Sequence, residues 1–246
     1  MDASAYMTFI ARLTASAESR PDVLGLVLLG SAAHRDRQDE WSDHDFYWVT
    51  ADVTAEGYRT DLSWLPDHES IVLAPRETEH GLKVVYADGH VLEFAVFTLP
   101  QLALAGANAY EVRLDRGGVT PLMEALAKRP RQERDDDRDL GLFISLLLIG
   151  VGRVRRGEAL VGGNFIRTYA VERLLRVLAH RNPDARLDDL DPFRRVEIVF
   201  PSLGLSSALE QPAELAARSV LAIAERELGP LAGADALRRR LGWDRE

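Results

Sequence analysis

Two aspartates, Asp43 and Asp45, stand one residue apart at the head of an apolar run that covers residues 46–49. Alternate residues of a β-strand point to the same face, so the two carboxylates can converge on one centre. Two anions that share a face repel each other unless a cation lies between them. Mg²⁺ typically binds one or two protein carboxylates together with phosphate oxygens and water. The spacing therefore indicates a Mg²⁺ site that meets a phosphorylated ligand; the alternative is that both aspartates only cap a turn before a strand.

A third acid, Glu93, stands inside the apolar segment HVLEFAVFT at residues 90–98. An ionised side chain within a buried strand is costly unless it is paired or binds a metal. If this strand lies beside the strand of the two aspartates, the three carboxylates form one cluster. Glu93 is then either a metal ligand or the base that takes a proton from an attacking hydroxyl. The alternative is an ion pair with an arginine across a hairpin.

The apolar run at residues 23–30 ends in Gly30-Ser31, directly before a helix-like stretch. A strand that passes through Gly-Ser into a helix brings backbone amides and a hydroxyl close to an anion. Arg35 follows a few residues later and either reaches the same phosphate or is a solvated helix charge. A phosphate bound at Gly30 would lie close to a metal held by the next strand.

The chain has only two lysines, Lys83 and Lys128, among 30 basic residues. Lys83 lies in a predicted strand of a hairpin whose turn is Asp88-Gly89, a strong hairpin signal. A contact to phosphate is one role for Lys83, and a cross-strand pair with a carboxylate is the other. We expect the cross-strand pair.

The pattern of apolar residues predicts a strand-rich first half and a helical second half. A highly charged stretch at residues 128–139 is the predicted linker between them, and Gly162-Gly163 is predicted to break the helical half. The predicted strands are residues 23–30, 43–50, 70–74, 82–87, 91–98 and 110–114. The predicted helices are residues 3–19, 99–107, 139–156, 164–180, 193–200, 212–228 and 235–241.

The composition argues against proteins that bind nucleic acid, contain disulfides or span a membrane. The 246 residues carry a net charge of −9, so the summed field repels long polyanions and nucleic acid is not the expected partner. Cysteine is absent, which excludes disulfides and thiolate metal sites. No apolar run is long enough to span a bilayer, and the start of the sequence lacks the pattern of a secretory signal. The expected location is the cytoplasm.

The motif residues together resemble a known family. An apolar strand, Gly30-Ser31, the helix-sized gap at residues 32–42, and then Ser42-Asp43-His44-Asp45 look like the signature of the DNA polymerase beta nucleotidyltransferase superfamily. One departure is His44, where that family usually has an aliphatic residue. The resemblance implies that Gly30, Ser31, Ser42 and Arg35 bind the nucleotide, and that Asp43, Asp45 and Glu93 are the metal-binding and catalytic acids.

The segment VRLDRGG at residues 112–118 and the helical second half are similar to small-molecule antibiotic nucleotidyltransferases, which act on aminoglycosides or lincosamides. This implies an α+β fold in which residues 1–130 form a polymerase-beta-like catalytic domain with a mixed sheet. Residues 135–246 then form a helical substrate-binding domain, with the active site between the two. The implied reaction is Mg²⁺-dependent transfer of a nucleoside monophosphate from a nucleoside triphosphate, ATP being the expected one, to a hydroxyl.

The expected acceptor is a small molecule such as an aminoglycoside-like antibiotic, and the expected assembly is a monomer or homodimer without membrane contact. Two alternatives stay open. One is a nucleotidyltransferase that modifies a protein or RNA, as toxin-like relatives do. The other is a non-catalytic domain that binds nucleotide for regulation, although binding without chemistry needs fewer carboxylates.

Overall fold

A computed structural model describes residues 3–33, 38–106, 109–128, 135–182, 184–185, 187–188 and 191–244. The chain divides into two compact units, residues 1–130 and 131–246. The first unit contains a mixed six-stranded sheet, and the described part of the second is helical. The predicted α+β class, a mixed sheet followed by a helical region, is confirmed. The catalytic and substrate-binding roles predicted for residues 1–130 and 135–246 remain proposals.

The first unit alternates strands with short helices. Its strands are β1 (Val23–Leu29), β2 (His44–Thr50), β3 (Ile71–Leu73), β4 (Gly81–Tyr86), β5 (Val91–Phe97) and β6 (Tyr110–Asp115). Its helices are α1 (Ala3–Glu18), α2 (Gly30–Ala33), α3 (Ala55–Thr60), α4 (Leu99–Leu102) and α5 (Val119–Ala127).

The order of strands in the sheet is β3-β4-β5-β2-β1-β6. Strands β2 and β5 are neighbours and run parallel, whereas the other neighbouring pairs are antiparallel. The parallel register places His44 opposite Leu92 and Asp45 opposite Glu93. This pairing brings together two acids that are far apart in the sequence.

Both faces of the central strands are covered. On one face, helix α1 packs against the sheet in a core that includes Leu26, Phe46 and Trp48. On the other face, Val27 and Val49 pack with α4 and α5. Each large side chain buried in this way stabilises the fold by about 1.5–3 kcal/mol. Burial on both faces explains why β1 is an almost continuous apolar run.

The second unit contains α6 (Asp136–Arg155), α7 (Ala159–Asn164), a π-helical turn (Phe165–Ala170) and α8 (Val171–Arg181). They are followed by α9 (Val196–Val199), α10 (Leu205–Leu209), α11 (Ala213–Leu228) and α12 (Ala234–Leu241). Side chains from α6, α8 and α11 form most of its core. None of the described helices combines the length and hydropathy needed to cross a bilayer.

The predicted helix break at Gly162-Gly163 is wrong, because both glycines lie inside α7 and the helical path continues into α8. A Cβ on Gly162 would lie 2.7 Å from the carbonyl oxygen of Gly150 and 2.7 Å from Cγ2 of Val154. Glycine is therefore present so that α7 can approach α6 closely, and the sequence signal for a turn reflects a packing requirement.

Several predicted bounds are also wrong. Strand β2 begins at His44 rather than at Asp43, and Gly30 starts α2 instead of ending β1. The helix predicted at 99–107 covers only Leu99–Leu102, and the helix at 193–200 covers only Val196–Val199. The short helices α3, α5, α7 and α10 were not predicted, because helices of five to nine residues are too short to show a clear helical period.

Helix α5 begins at a dense set of hydrogen bonds to Asp115. Its Oδ1 accepts the amides of Gly117, Gly118 and Val119, and its Oδ2 accepts the amide of Thr120 at 2.8 Å. Burial raises the pKa of Asp115, but the hydrogen bonds from Thr120 and the other amides outweigh burial and hold the pKa well below its usual value. The VRLDRGG segment thus has a structural role: it turns β6 into α5.

We expect Asp115→Ala to lower the melting temperature at pH 7 by about 2–4 °C, because removal of a helix N-terminal acceptor costs about 1 kcal/mol. The pKa of Asp115 is depressed in the folded state, so its contribution is full above about pH 4 and is lost as the pH falls further. Thermal unfolding at pH 7 and pH 3 should therefore show a difference between the proteins that shrinks at pH 3. Asp61→Ala, which removes an acceptor for Ser63 in a loop, is the control. Identical melting of the wild type and Asp115→Ala at pH 7 would contradict this role.

Candidate active site

Asp43, Asp45 and Glu93 come together at one place on the sheet. Asp43 immediately precedes β2, Asp45 lies in β2, and Glu93 lies directly opposite Asp45 in the parallel neighbour β5. One carboxylate oxygen from each residue lies within 4.8 Å of the other two. The two aspartates are partly buried, and Glu93 is exposed. Asp43 need not lie in β2 for its carboxylate to meet that of Asp45. A residue just before a strand can point to the same side of the sheet as the residue two positions later.

The prediction that Glu93 is an ionised side chain within a buried strand is wrong. Strand β5 buries Leu92, Phe94 and Val96 on one face, and Glu93 points from the opposite face towards solvent. Glu93 is therefore not an ion inside an apolar core. Its position matters because the parallel register sets its carboxylate beside that of Asp45.

Lys83 is a cation next to this cluster. It lies on β4 opposite Glu93, and its Nζ is 3.6 Å from Oε2 of Glu93 and 3.0 Å from Oε1 of Glu77. The hydrogen bond to Glu77 and the charge of Glu93 raise the pKa of Lys83. The expected cross-strand pair is present, and the partner of Glu93 is this lysine rather than an arginine. Lys83 thus offsets part of the negative charge of the cluster.

Gly30 and Ser31 lie at the start of α2, close to the backbone of Asp43. Gly30 has φ +52°, a left-handed conformation that glycine adopts without strain, and its amide donates to the carbonyl of Ala109 at 3.2 Å. Ser31 is buried, and its Oγ donates to the carbonyl oxygen of Asp43 over 3.4 Å. The Ser31 hydroxyl therefore lies next to the backbone of Asp43, and its contact to phosphate remains a prediction.

Ser42 belongs to a tight turn before the aspartates. Its Oγ accepts the amide of Asp39 at 2.9 Å and donates to Oδ1 of Asp39 at 3.1 Å. In this structure the hydroxyl of Ser42 orders the loop that leads to Asp43. Arg35, the other predicted phosphate contact, lies outside the described residues.

Three buried residues, Tyr6, His44 and His90, form a hydrogen-bonded group next to the acidic cluster. The sequence analysis did not predict the roles of Tyr6 and His90. His44 lies between the two aspartates, and its Nε2 donates to the carbonyl of Tyr6 at 3.1 Å. This bond assigns the proton to Nε2, so Nδ1 of His44 accepts from Nε2 of His90 at 2.6 Å. The signal for both partners was His44 itself, because a polar ring on the buried face of a strand needs a partner for each nitrogen.

Tyr6 contacts the same segment twice more. Its ring stacks on His44 with centroids 3.7 Å apart, and its hydroxyl donates to the carbonyl of Asp43 at 2.8 Å. Burial, with a further contribution from the charges of Asp45 and Asp43, raises the pKa of Tyr6 to about 12. The phenol is thus a stable donor at neutral pH.

The two histidines are held neutral. Burial lowers the pKa of His44 to about 3, with a smaller contribution from His90, and burial also lowers the pKa of His90. An uncharged His44 can accept from His90 and donate to Tyr6 at the same time. Protonation would remove the acceptor and place a charge in a site with 1% exposure.

We expect the free energy of unfolding to decrease by about 2 kcal/mol between pH 7.5 and pH 5.0 through His44 alone, because its pKa is about 6.5 when unfolded and far lower when folded. The contribution is full above the unfolded pKa and is lost as the pH falls below it. Urea titrations at both pH values should show this decrease in the wild type and a smaller one in His44→Gln, which cannot be charged. His68→Gln, at a histidine half exposed to solvent, is the control and should behave as the wild type. Equal pH dependence in His44→Gln and the wild type would refute the assignment.

We expect Lys83→Met to tighten the binding of Mn²⁺ by about threefold at low salt, because a positive charge next to the cluster is removed. Lys128→Met is the matched control, since Lys128 pairs with Glu124 on α5. Electron paramagnetic resonance of free Mn²⁺ measures both dissociation constants. Weaker binding in Lys83→Met would show instead that Lys83 holds Glu93 in place for the cation.

No protein-family model matches the chain, and no curated protein sequence matches it. Among solved structures, a nucleotidyltransferase-like protein from Exiguobacterium sibiricum 255-15 is similar at 15% identity and a TM-score of 0.35, over 91% of this chain and 74% of that one. An aminoglycoside 6-adenyltransferase from Bacillus subtilis is similar at 12% identity and a TM-score of 0.34, over 94% of this chain and 90% of that one.

Proposed function

We propose that this protein is a nucleotidyltransferase that transfers a nucleoside monophosphate from a nucleoside triphosphate to a hydroxyl of a small molecule and releases pyrophosphate. The observation that carries the proposal is the convergence of Asp43, Asp45 and Glu93, whose carboxylate oxygens lie within 4.8 Å of one another. Three like charges this close are unfavourable unless a cation joins them. A ligand that brings phosphates to such a cation fits the charge of the site.

The donor set fits Mg²⁺. All three side chains offer carboxylate oxygens, which hard divalent cations prefer. Mg²⁺ bound by one or two protein carboxylates usually completes its coordination with water and substrate phosphates. Asp43 and Asp45 would hold the ion, with Glu93 as a further ligand or as the base. When bound, Mg²⁺ supplies positive charge that neutralises the triphosphate and offsets the charge that develops during transfer.

The reaction forms one bond and breaks one. The oxygen of the acceptor hydroxyl bonds to the α-phosphorus, the bond from that phosphorus to the bridging oxygen breaks, and pyrophosphate leaves with the electron pair. The hydroxyl proton passes to a base, and Glu93 is the candidate because its carboxylate is exposed beside the cluster. Lys83 lies 3.6 Å from Glu93 and places a positive charge beside this carboxylate. The chain's main contribution is alignment of the two reactants.

Gly30, Ser31, Ser42 and Arg35 are the proposed contacts of the nucleotide phosphates. Ser31 supports this because its hydroxyl lies beside the backbone of Asp43, so a phosphate near it would also be near the cation. ATP is the proposed nucleotide.

The proposed acceptor is an aminoglycoside-like polycation, and residues 135–246 are proposed to bind it. The net charge of −9 favours a cationic small molecule over nucleic acid.

The test is pyrophosphate release from ATP, GTP, CTP or UTP with Mg²⁺, in the presence and absence of a panel of aminoglycosides and lincosamides. We expect Asp43→Asn to lower kcat by at least about 100-fold, because the cation loses a ligand. We also expect its melting temperature without metal to be unchanged or higher, because repulsion within the cluster is relieved.

Asp52→Asn, at an exposed aspartate just after β2, is the matched control and should retain full activity. Full activity of Asp43→Asn, or a large fall in its melting temperature, would contradict the metal-site role. Absence of pyrophosphate release with every acceptor would contradict the transfer reaction and favour a protein that only binds nucleotide.

A further inference from the structure

Asp43 differs from the other two acids in how its backbone is held. Asp45 and Glu93 lie within paired strands, opposite each other in register. Asp43 precedes the first paired residue of β2, since the register with β5 begins at His44 and the register with β1 reaches only Phe46. The position of Asp43 therefore depends on groups outside the sheet.

Two hydroxyls bond to the carbonyl oxygen of Asp43. The hydroxyl of Tyr6 donates at 2.8 Å, and Oγ of Ser31 donates at 3.4 Å. The first distance is typical of a good hydrogen bond between oxygens and the second is long, so Tyr6 makes the stronger contact.

Tyr6 also holds the next residue. Its carbonyl accepts from Nε2 of His44 at 3.1 Å, and its ring lies over the His44 ring at an interplanar angle of 16°. Tyr6 itself is 2% exposed, within the core that helix α1 forms with the sheet. Tyr6 thus contacts both residues of the Asp43–His44 pair: the carbonyl of Asp43 and the ring of His44.

We propose that Tyr6 is a positioning residue that sets the carboxylate of Asp43 for the cation, an inference that rests on the proposed function of the three-acid cluster. The hydroxyl fixes the carbonyl of Asp43, and the fixed main chain limits the positions that its side chain can reach. Helix α1, which contributes no acid to the cluster, in this way takes part in forming it.

The experiment compares Mn²⁺ affinity in the wild type, Tyr6→Phe and Tyr86→Phe by electron paramagnetic resonance. Tyr86 is the matched control: it is buried in the same core, and its hydroxyl donates to the carbonyl of Pro66 at 2.8 Å. Groups that orient metal ligands typically change affinity by 10–100-fold when removed. We expect about tenfold weaker Mn²⁺ binding in Tyr6→Phe and less than a twofold change in Tyr86→Phe, with similar melting temperatures without metal.

A second readout separates positioning from general stability. In Tyr6→Phe, a higher concentration of Mg²⁺ should restore pyrophosphate release, whereas the KM for the acceptor should stay within twofold of the wild type. Replacement of Tyr6 by 4-aminophenylalanine, which keeps a donor at the end of the ring, should restore the Mn²⁺ affinity of the wild type.

Three results would overturn the role of Tyr6 alone: wild-type Mn²⁺ affinity in Tyr6→Phe, equal weakening in Tyr86→Phe, or loss of cooperative unfolding in Tyr6→Phe. The last would show that the hydroxyl holds the whole unit rather than the ligand. If the wild type itself binds no Mn²⁺, the proposed function fails and the role of Tyr6 fails with it.

Discussion

The parallel pairing of β2 with β5 is the constraint on which the site depends. It is the one parallel contact among the described strand pairs, and it places Asp45 directly opposite Glu93. A shift of one residue would turn Glu93 to the face that packs on α1 and would turn Phe94 outward, with the loss of its stacking on Phe46. The hydrophobic core thus fixes the same register that brings the carboxylates together, so repulsion among them is resisted by the burial of large apolar side chains.

Much of the fold followed from the sequence because its strongest signals are periodic. Strands β1, β4 and β5 and helices α1, α6 and α11 fall close to their predicted bounds, since long apolar patterns and the Asp88-Gly89 turn mark them clearly. The prediction failed where one residue type serves two purposes. Glycine marks a turn in most contexts, but Gly162 is present because α6 and α7 approach each other too closely for a side chain. That requirement is tertiary and cannot be seen in a local window.

The acids of the site could be predicted from their types and spacing, whereas their support could not. Asp43 and Asp45 were singled out by a two-residue period at the head of an apolar run. The apolar residues around Glu93 predict that it is buried, but the structure exposes it. The prediction that its carboxylate meets those of Asp43 and Asp45 nevertheless holds. Tyr6 lies within the predicted helix at residues 3–19, and nothing local in the sequence shows that its hydroxyl reaches Asp43, which is 37 residues away.

Two tryptophans, Trp48 and Trp64, lie side by side in the core of the sheet unit. The rings of Trp48 and Trp64 are 4.1 Å apart at their centroids and inclined by 37°, and both are buried. Trp243, by contrast, packs against the core of the helical unit. Two indoles this close couple their electronic transitions, so the pair gives a circular dichroism signal distinct from that of the helices. Loss of that signal would report on the melting of the sheet unit by itself, in a chain whose ellipticity is otherwise dominated by helix.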